Sequence, residues 1–236
     1  MQKDKFFCPF CDEVKPFKDF GNPPRKNVQC EECKSLERHR FLFYIYNFLF
    51  LGAENKIKLL HLAPEYSLYK LITKNKNIEY VSADLSPERF NFTNCKKENF
   101  CDMTFKDKQF DVILLNQVME HIEDEQRCLL EIKRCLKDDG IVIINIPYKV
   151  GLVETLEDAN IKSEKDREKY YGQSDHVRLY GEDAGRRFEK AGFLVFRISE
   201  KAFDKKTINR SNMLSINSDG INPGGYFWLR KAVENS

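Results

Sequence analysis

Glycine is missing where a dinucleotide-binding chain needs it. No GxGxxG occurs anywhere in the 236 residues, which removes the fingerprint of such a site. A long apolar run is missing too. The densest, Phe41 to Leu51, has eleven residues and contains Asn47, against the about 20 that span a bilayer. Met1 is followed by Gln2, Lys3, Asp4 and Lys5, with no apolar core of a signal peptide. The expectation is a cytoplasmic protein without membrane insertion, whose eight cysteines stay reduced rather than forming a disulfide framework. An excess of one charge is also lacking: the net charge is +2, so bulk electrostatics argue against nucleic acid or an anionic membrane as partner. There is no internal repeat and no low-complexity tract.

Cysteine, by contrast, is patterned. Cys8-Pro9-Phe10-Cys11 and Cys30-Glu31-Glu32-Cys33 are two CxxC knuckles with the eighteen residues Asp12 to Gln29 between them. That spacing reads as a zinc site in which each knuckle supplies two thiolates and two knuckles close a tetrahedron. Four protein ligands leave no open position, so the zinc is expected to be structural, and it supplies folding free energy to a segment with little core of its own. Two unrelated pairs of reduced cysteines are the alternative. Lysines and arginines near the knuckles are offset by Asp12, Glu13, Asp19, Glu31 and Glu32, leaving no basic patch. A helix is expected from near Ser35 through the apolar run, buried between this module and the main sheet. His39, at its start, is either a further zinc ligand, a packing residue or a group lining the site.

The rest alternates strand and helix. Ile57 to Leu62 is an apolar strand, Ala63-Pro64-Glu65 a turn, Leu68 to Ile72 an amphipathic helix, and Ile78 to Val81 a second strand stopping at Asp84. A carboxylate there can accept bonds from both hydroxyls of a ribose. A short edge strand is expected over Glu98 to Thr104, buried strands at Phe110 to Leu115 and Ile141 to Ile146, and a helix over Asp124 to Leu136 ended by Asp138-Asp139-Gly140. A looser stretch follows to Tyr180, then a helix to Ala191, a strand from Phe193, a polar segment Lys201 to Gly225 that is either a functional loop or hides a short element, and a last strand from Tyr226. The final two strands are expected as an antiparallel pair at the sheet edge.

The run FDVILLNQVMEHI, then a helix and LKDDGIVIINIP, resembles the class I S-adenosylmethionine-dependent methyltransferases over roughly residues 56–231. SLERHR, LLHLAPE and GQSDHVRLYG further resemble a mostly bacterial subgroup that carries a four-cysteine zinc knuckle and an HLAPE-type first loop. The resemblance implies an α/β, Rossmann-like fold: a mostly parallel seven-stranded sheet with helices on both faces, plus a small N-terminal zinc-ribbon-like module. It implies a knuckle module over 1–35 and a methyltransferase domain over 36–236, with 148–181 as a substrate lid. The cofactor it implies is S-adenosylmethionine, held by His61, Ala63, Pro64 and Glu65 in the first loop, Asp84 and Leu85 at the ribose, Asp102 and Met103 at the adenine, and Asn116 and Gln117 after the fourth strand. The first loop departs from the family by having no glycine, and His61 stands where an acidic residue usually holds the cofactor's ammonium, a role Glu65 could take over.

Methyl transfer from a sulfonium needs alignment of the acceptor and, for a hydroxyl, a base. His176 and His121 are the candidates, with a lid hydrogen bond and a helix cap as their respective alternatives. Tyr171, Gln173 and Arg178 are candidates for lining the acceptor pocket. The expected acceptor is a small molecule methylated on oxygen, a sugar or cell-surface-glycan-related metabolite. An RNA or protein methyltransferase guided by the zinc module, and a non-catalytic binding module with a degenerate cofactor loop, are the competing readings.

Overall fold

The computed structural model describes residues 4–50, 52–214 and 216–232. An antiparallel three-stranded sheet comes first: β1 (Lys5–Cys8), β2 (Glu13–Phe20) and β3 (Arg25–Cys30). Its small core is Phe17 with the cysteine side chains. Then follow α1 (Glu37–Phe50), β4 (Ile57–Leu62), α2 (Tyr66–Ile72), β5 (Ile78–Asp84), β6 (Cys95–Lys97), β7 (Phe110–Asn116), α3 (Glu125–Cys135), β8 (Leu136–Lys149), α4 (Glu164–Tyr171), α5 (Ala184–Glu189), β9 (Phe193–Ile198), α6 (Lys205–Arg210) and β10 (Ile221–Lys231). The strands β4 to β10 form one sheet in the order β6-β5-β4-β7-β8-β10-β9. All neighbours are parallel except the two pairs that β10 makes.

Side chains along a strand alternate between faces, and the apolar runs therefore feed two cores. Leu60, Leu62, Ile113, Leu115, Val142 and Ile144 pack with α3 through Leu129 and Ile132. Leu59, Val112, Leu114 and Ile143 pack with α1 and α2 through Phe41, Leu42 and Leu68. The result is three layers, helices on both faces of a sheet whose central strands are dry on both sides. No helix among the described residues is long and apolar enough to cross a membrane.

Several expectations are corrected. The edge strand lies at Cys95–Lys97, not Glu98 to Thr104, where Asn99 and Asp102 instead close a turn. The polar edge gave no periodicity to place it. The helix α3 ends at Cys135 and the chain enters β8 at once, so Asp138-Asp139-Gly140 belong to the strand. Strand β8 also runs through Pro147 to Lys149, because β10 bulges opposite it between Asn222 and Gly225, and a bulge tolerates the missing amide. The final two strands do form the expected antiparallel pair at the sheet edge, with β10 on its inner side between β8 and β9. The segment 201–225 likewise hides a short element as expected, α6, capped by Asp204. Helix α1 is not buried all round, since Phe48 is 82% exposed.

One buried side chain rivets the two parts together. Arg40 is fully buried and donates to the carbonyls of Val28, Ser35, Ser211 and Asn212 at 2.6–3.0 Å, with its guanidinium over the Phe17 ring. Replacing it by methionine strands those carbonyls, a loss on the order of 3 kcal/mol. Arg40→Met is therefore expected to lower the melting temperature by about 6–12 °C, checked by thermal unfolding of the full chain; a shift below about 2 °C would contradict the rivet.

Candidate active site and cysteine knuckle

The carboxyl ends of β4, β5 and β7 face one edge of the sheet. After β4 the turn is made by Ala63 at φ 48°, in the left-handed region where glycine is usual. An alanine thus performs the turn that the missing glycine would make, fixed by Ala63 N–H donating to Ala83 O at 2.9 Å. Gln117, just past β7, has φ 52°. Strained backbone at two adjacent strand ends marks the same edge.

His61 is fully buried, with Nδ1 3.0 Å from the Tyr80 hydroxyl, and burial holds its pKa down at about 4. A neutral imidazole cannot supply the negative charge an ammonium needs. Glu65 can. Burial opposes its ionisation, but His39 and then Arg38 hold it well below the ordinary carboxylate range. Its Oε1 accepts from Arg38 Nη2 at 2.9 Å and lies 2.6 Å from His39 Nε2. His39 Nδ1 accepts from Leu36 N–H, which places its proton on Nε2. His39 is thereby committed to the first loop and is not a cysteine-site ligand.

Asp84 is buried at the end of β5, its Oδ1 accepting from Ser86 N–H at 2.8 Å, while Leu85 is exposed. Pro64 is buried behind the turn. Asp102 is exposed, in the turn after β6; Met103 points into the core, its N–H bound by Glu131 and its carbonyl by Arg134. Of the adenine pair, Asp102 is the one open to a ligand. Asn116 is buried at the end of β7, and Gln117 donates to Asn145 Oδ1 at 3.0 Å.

Unpartnered polar atoms test whether these residues fit a ligand. His61 Nε2, Glu65 Oε2, Arg38 Nε and both side-chain atoms of Asn116 are buried without a hydrogen-bond partner. Orphaned groups of this kind are costly and need a reason. A free carboxylate oxygen and a free guanidinium N–H on neighbouring ion-pair partners match the ammonium and carboxylate of an amino-acid moiety, so the residues fit the methionine end of S-adenosylmethionine.

Beyond Gln117 a short 3-10 turn, Met119–His121, carries Glu120 and His121. The stretch Gly172 to Gly181 brings His176 against them. Gly172, at φ +88°, ends α4, and Gly181 passes so close to the Leu152 carbonyl that a Cβ would stand 2.6 Å from it. Val177 N–H donates to Glu120 O at 2.9 Å. Arg178 does not line the cavity shared by Glu120, His121 and His176. It is buried and donates to the carbonyls of Met119, Ile122 and Glu123 and to Glu157. This arginine staples the covering segment to the turn, so residues 148–181, expected as a loose lid, are fixed at their closing end.

The staple sets a cluster. The His121 and His176 rings meet edge to face at 4.8 Å. Burial, and then His121, holds the His176 pKa down at about 4, and burial pushes the Glu120 carboxyl up to about 8. All three line a cavity of about 280 Å³ with Arg38, Gln117, Tyr171, Gln173 and, from the β2–β3 hairpin, Phe20 to Pro23 and Arg25. The cysteine module is therefore a wall of this cavity. Arg38, Glu120 and Arg40 were missed from the sequence; all three lie inside stretches already singled out, SLERHR and VMEHI, but burial of a charge leaves no mark in a pattern.

In the module, Sγ of Cys8 is 3.4 Å from that of Cys33, Cys11 is 4.0 Å from Cys30, and all four lie within 4.8 Å of one another. Tetrahedral bonds of about 2.3 Å require sulfur separations of about 3.8 Å. No disulfide joins them, and Ser35 Oγ touches Cys8 and Cys33 as an outer partner. The set fits a zinc ion.

Residues 52–144 match the model of a methyltransferase domain. YcgJ of Bacillus subtilis superposes with a TM-score of 0.52 at 13% identity, over 81% of this chain and 99% of that one. The 1,6-didemethyltoxoflavin-N1-methyltransferase of Burkholderia thailandensis, solved with bound 1,6-didemethyltoxoflavin and S-adenosylhomocysteine, gives 0.51 at 14% identity over 82% and 78%. Phosphoethanolamine N-methyltransferase 2 of Haemonchus contortus gives 0.54 at 14% over 82% and 53%. At such identities the likeness is one of fold, a Rossmann-like methyltransferase fold. In sequence, the chain is 26% identical over 125 residues to the uncharacterized protein MJ1123 of Methanocaldococcus jannaschii; the match spans 53% of this chain and 57% of that protein.

Proposed function

We propose that this chain is an S-adenosylmethionine-dependent methyltransferase acting on the oxygen of a small polar acceptor, of the sugar or glycan-precursor kind, with a structural zinc in its cysteine module. The observation that carries it is the line of buried, unpartnered polar groups at one sheet edge, from His61 and Glu65 through Arg38 and Asn116 to Glu120, beside a cavity of about 280 Å³. That volume is at the small end for ligand sites.

When bound, the cofactor supplies an electrophilic methyl on a sulfonium. The chain's own residues do the rest. Glu65 and Arg38 bind the amino-acid end, Asp84 the ribose and Asp102 the adenine side. Gln117, Tyr171 and Gln173 orient the acceptor, and the β2–β3 hairpin closes the cavity against water. His176 donates from Nδ1 to Tyr171 O at 3.2 Å, so its Nε2 carries the lone pair that accepts a hydroxyl proton. The low pKa of His176 keeps that lone pair free at neutral pH.

Calorimetry with S-adenosylmethionine tests the cofactor. Asp84→Ala should weaken binding by about 10–100-fold, the worth of hydrogen bonds to a charged group. Unchanged affinity would refute the ribose assignment, and no heat at millimolar cofactor with wild type would favour a binding module instead.

A further inference from the structure

We infer that Glu120, His121 and His176 form a divalent-cation site whose open positions take the acceptor's oxygens. A carboxylate oxygen of Glu120 and one ring nitrogen of each histidine lie within 4.8 Å of one another. The second, independent observation is Glu120 itself: the residue is 1% exposed, its Oε2 has no partner, and it lines the cavity. A buried carboxyl with an unpartnered oxygen, clustered with two imidazoles, is an incomplete coordination set.

The outer partners point the same way. His176 Nδ1 faces Tyr171 O at 3.2 Å, and His121 Nδ1 faces both the carbonyl and the carboxylate of Asp175 at 3.3 Å. Oxygen acceptors at both Nδ1 atoms put the protons there and leave both Nε2 lone pairs for a metal, as outer-shell partners of ligating histidines do. Ligand atoms around an ion at about 2.1 Å stand about 3–3.4 Å apart, so the widest pair closes by up to about 1.5 Å on loading. Arg38, a cation lining the same cavity, is paired with Glu65, as Arg25 is with Glu37 and Arg178 with Glu157. Two imidazoles and one carboxylate suit zinc, iron(II), cobalt or nickel rather than magnesium. With three protein ligands, the ion keeps positions free.

This rests on the methyltransferase reading and changes one step of it. A hydroxyl bound to the cation loses its proton to solvent rather than to His176, because a coordinated oxygen is far more acidic than a free one. The alkoxide oxygen then forms the new C–O bond as the methyl–sulfur bond breaks, and the sulfonium leaves as a neutral thioether. Acceptors with two adjacent oxygens, such as vicinal diols, fit an ion with two free positions.

The test is titration of Co²⁺ into the full chain with its cysteine site already zinc-loaded, read by visible absorption and without cofactor. The expected result is saturation at one Co²⁺ per chain with weak ligand-field bands and no intense thiolate charge-transfer band. Glu120→Gln and His176→Gln should each weaken binding by more than the about 10–100-fold that loss of an outer partner costs, and Asp175→Asn by about that much. No stoichiometric uptake by wild-type protein at 1 mM Co²⁺ overturns the site, as does uptake that survives both ligand substitutions. Circular dichroism and S-adenosylmethionine calorimetry on the same samples separate unfolding, and failure of the methyltransferase reading, from failure of this one.

Discussion

Replacing Cys8 and Cys30 together by serine should bring the zinc content from one ion per chain to none and raise amide exchange across residues 5–33 to the unprotected rate. A structural zinc contributes about 10–16 kcal/mol of apparent binding free energy, and the module has little else. Its apolar core is Phe17 packed on the cysteines, far too small to fold alone. The loss should then spread, because the β2–β3 hairpin walls the cavity and Arg40 bonds Val28 and Ser35 in the module to Ser211 and Asn212 outside it. The segment 205–213 should gain exchange as well. Cofactor affinity should fall by less than about tenfold, since Asp84 and Asn116 hang from β5 and β7 and only the start of α1 links the module to Glu65. Exchange by mass spectrometry and calorimetry on one preparation decide it. Full protection of residues 5–33 in the double variant would remove zinc from the account. Cofactor binding abolished along with the module would mean that the module holds the nucleoside itself.

Most of the architecture was readable because the central strands are dry on both faces. Leu114 and Leu115, or Ile143 and Ile144, face opposite cores, and such strands read as unbroken apolar runs. What failed was polar or irregular: β6, at the edge with exposed lysines, and the passage from α3 into β8 without a loop. The order at the C-terminus was also unreadable. Insertion of β10 between β8 and β9 is fixed by contacts such as Phe41 stacked on Tyr226 at 4.0 Å, and pairing of that range has no local signal. For the site, residue types were legible at strand ends and in the CxxC spacing. Their partnerships were not. That His39 serves Glu65, and that Arg178 staples the turn carrying Glu120, depends on charges meeting across 26 and 55 or more residues.

Glu65→Gln should raise the dissociation constant for S-adenosylmethionine by about 10–150-fold, the equivalent of one hydrogen bond to a charged group at about 1.5–3 kcal/mol. The amide keeps the size and one acceptor oxygen but removes the only anion the first loop offers, since His61 is neutral. The sign of the pH dependence follows from the same carboxyl. Burial opposes its ionisation, yet His39 and Arg38 hold its folded pKa below the ordinary carboxylate value. Its stabilising contribution is therefore complete above that ordinary value and is lost only as pH falls towards the depressed one. Above about pH 5, where an unperturbed glutamate is already ionised, wild-type cofactor affinity should owe nothing to titration of Glu65. His39→Gln should have a smaller effect than Glu65→Gln, because Arg38 still pairs with the carboxylate. Arg38→Gln should weaken binding of the cofactor while sparing adenosine, which lacks the amino-acid end. Equal affinity of wild type and Glu65→Gln for the cofactor, measured by calorimetry at neutral pH, would show that the unpartnered Oε2 answers to something other than an ammonium, and the first loop would then have to bind through backbone alone.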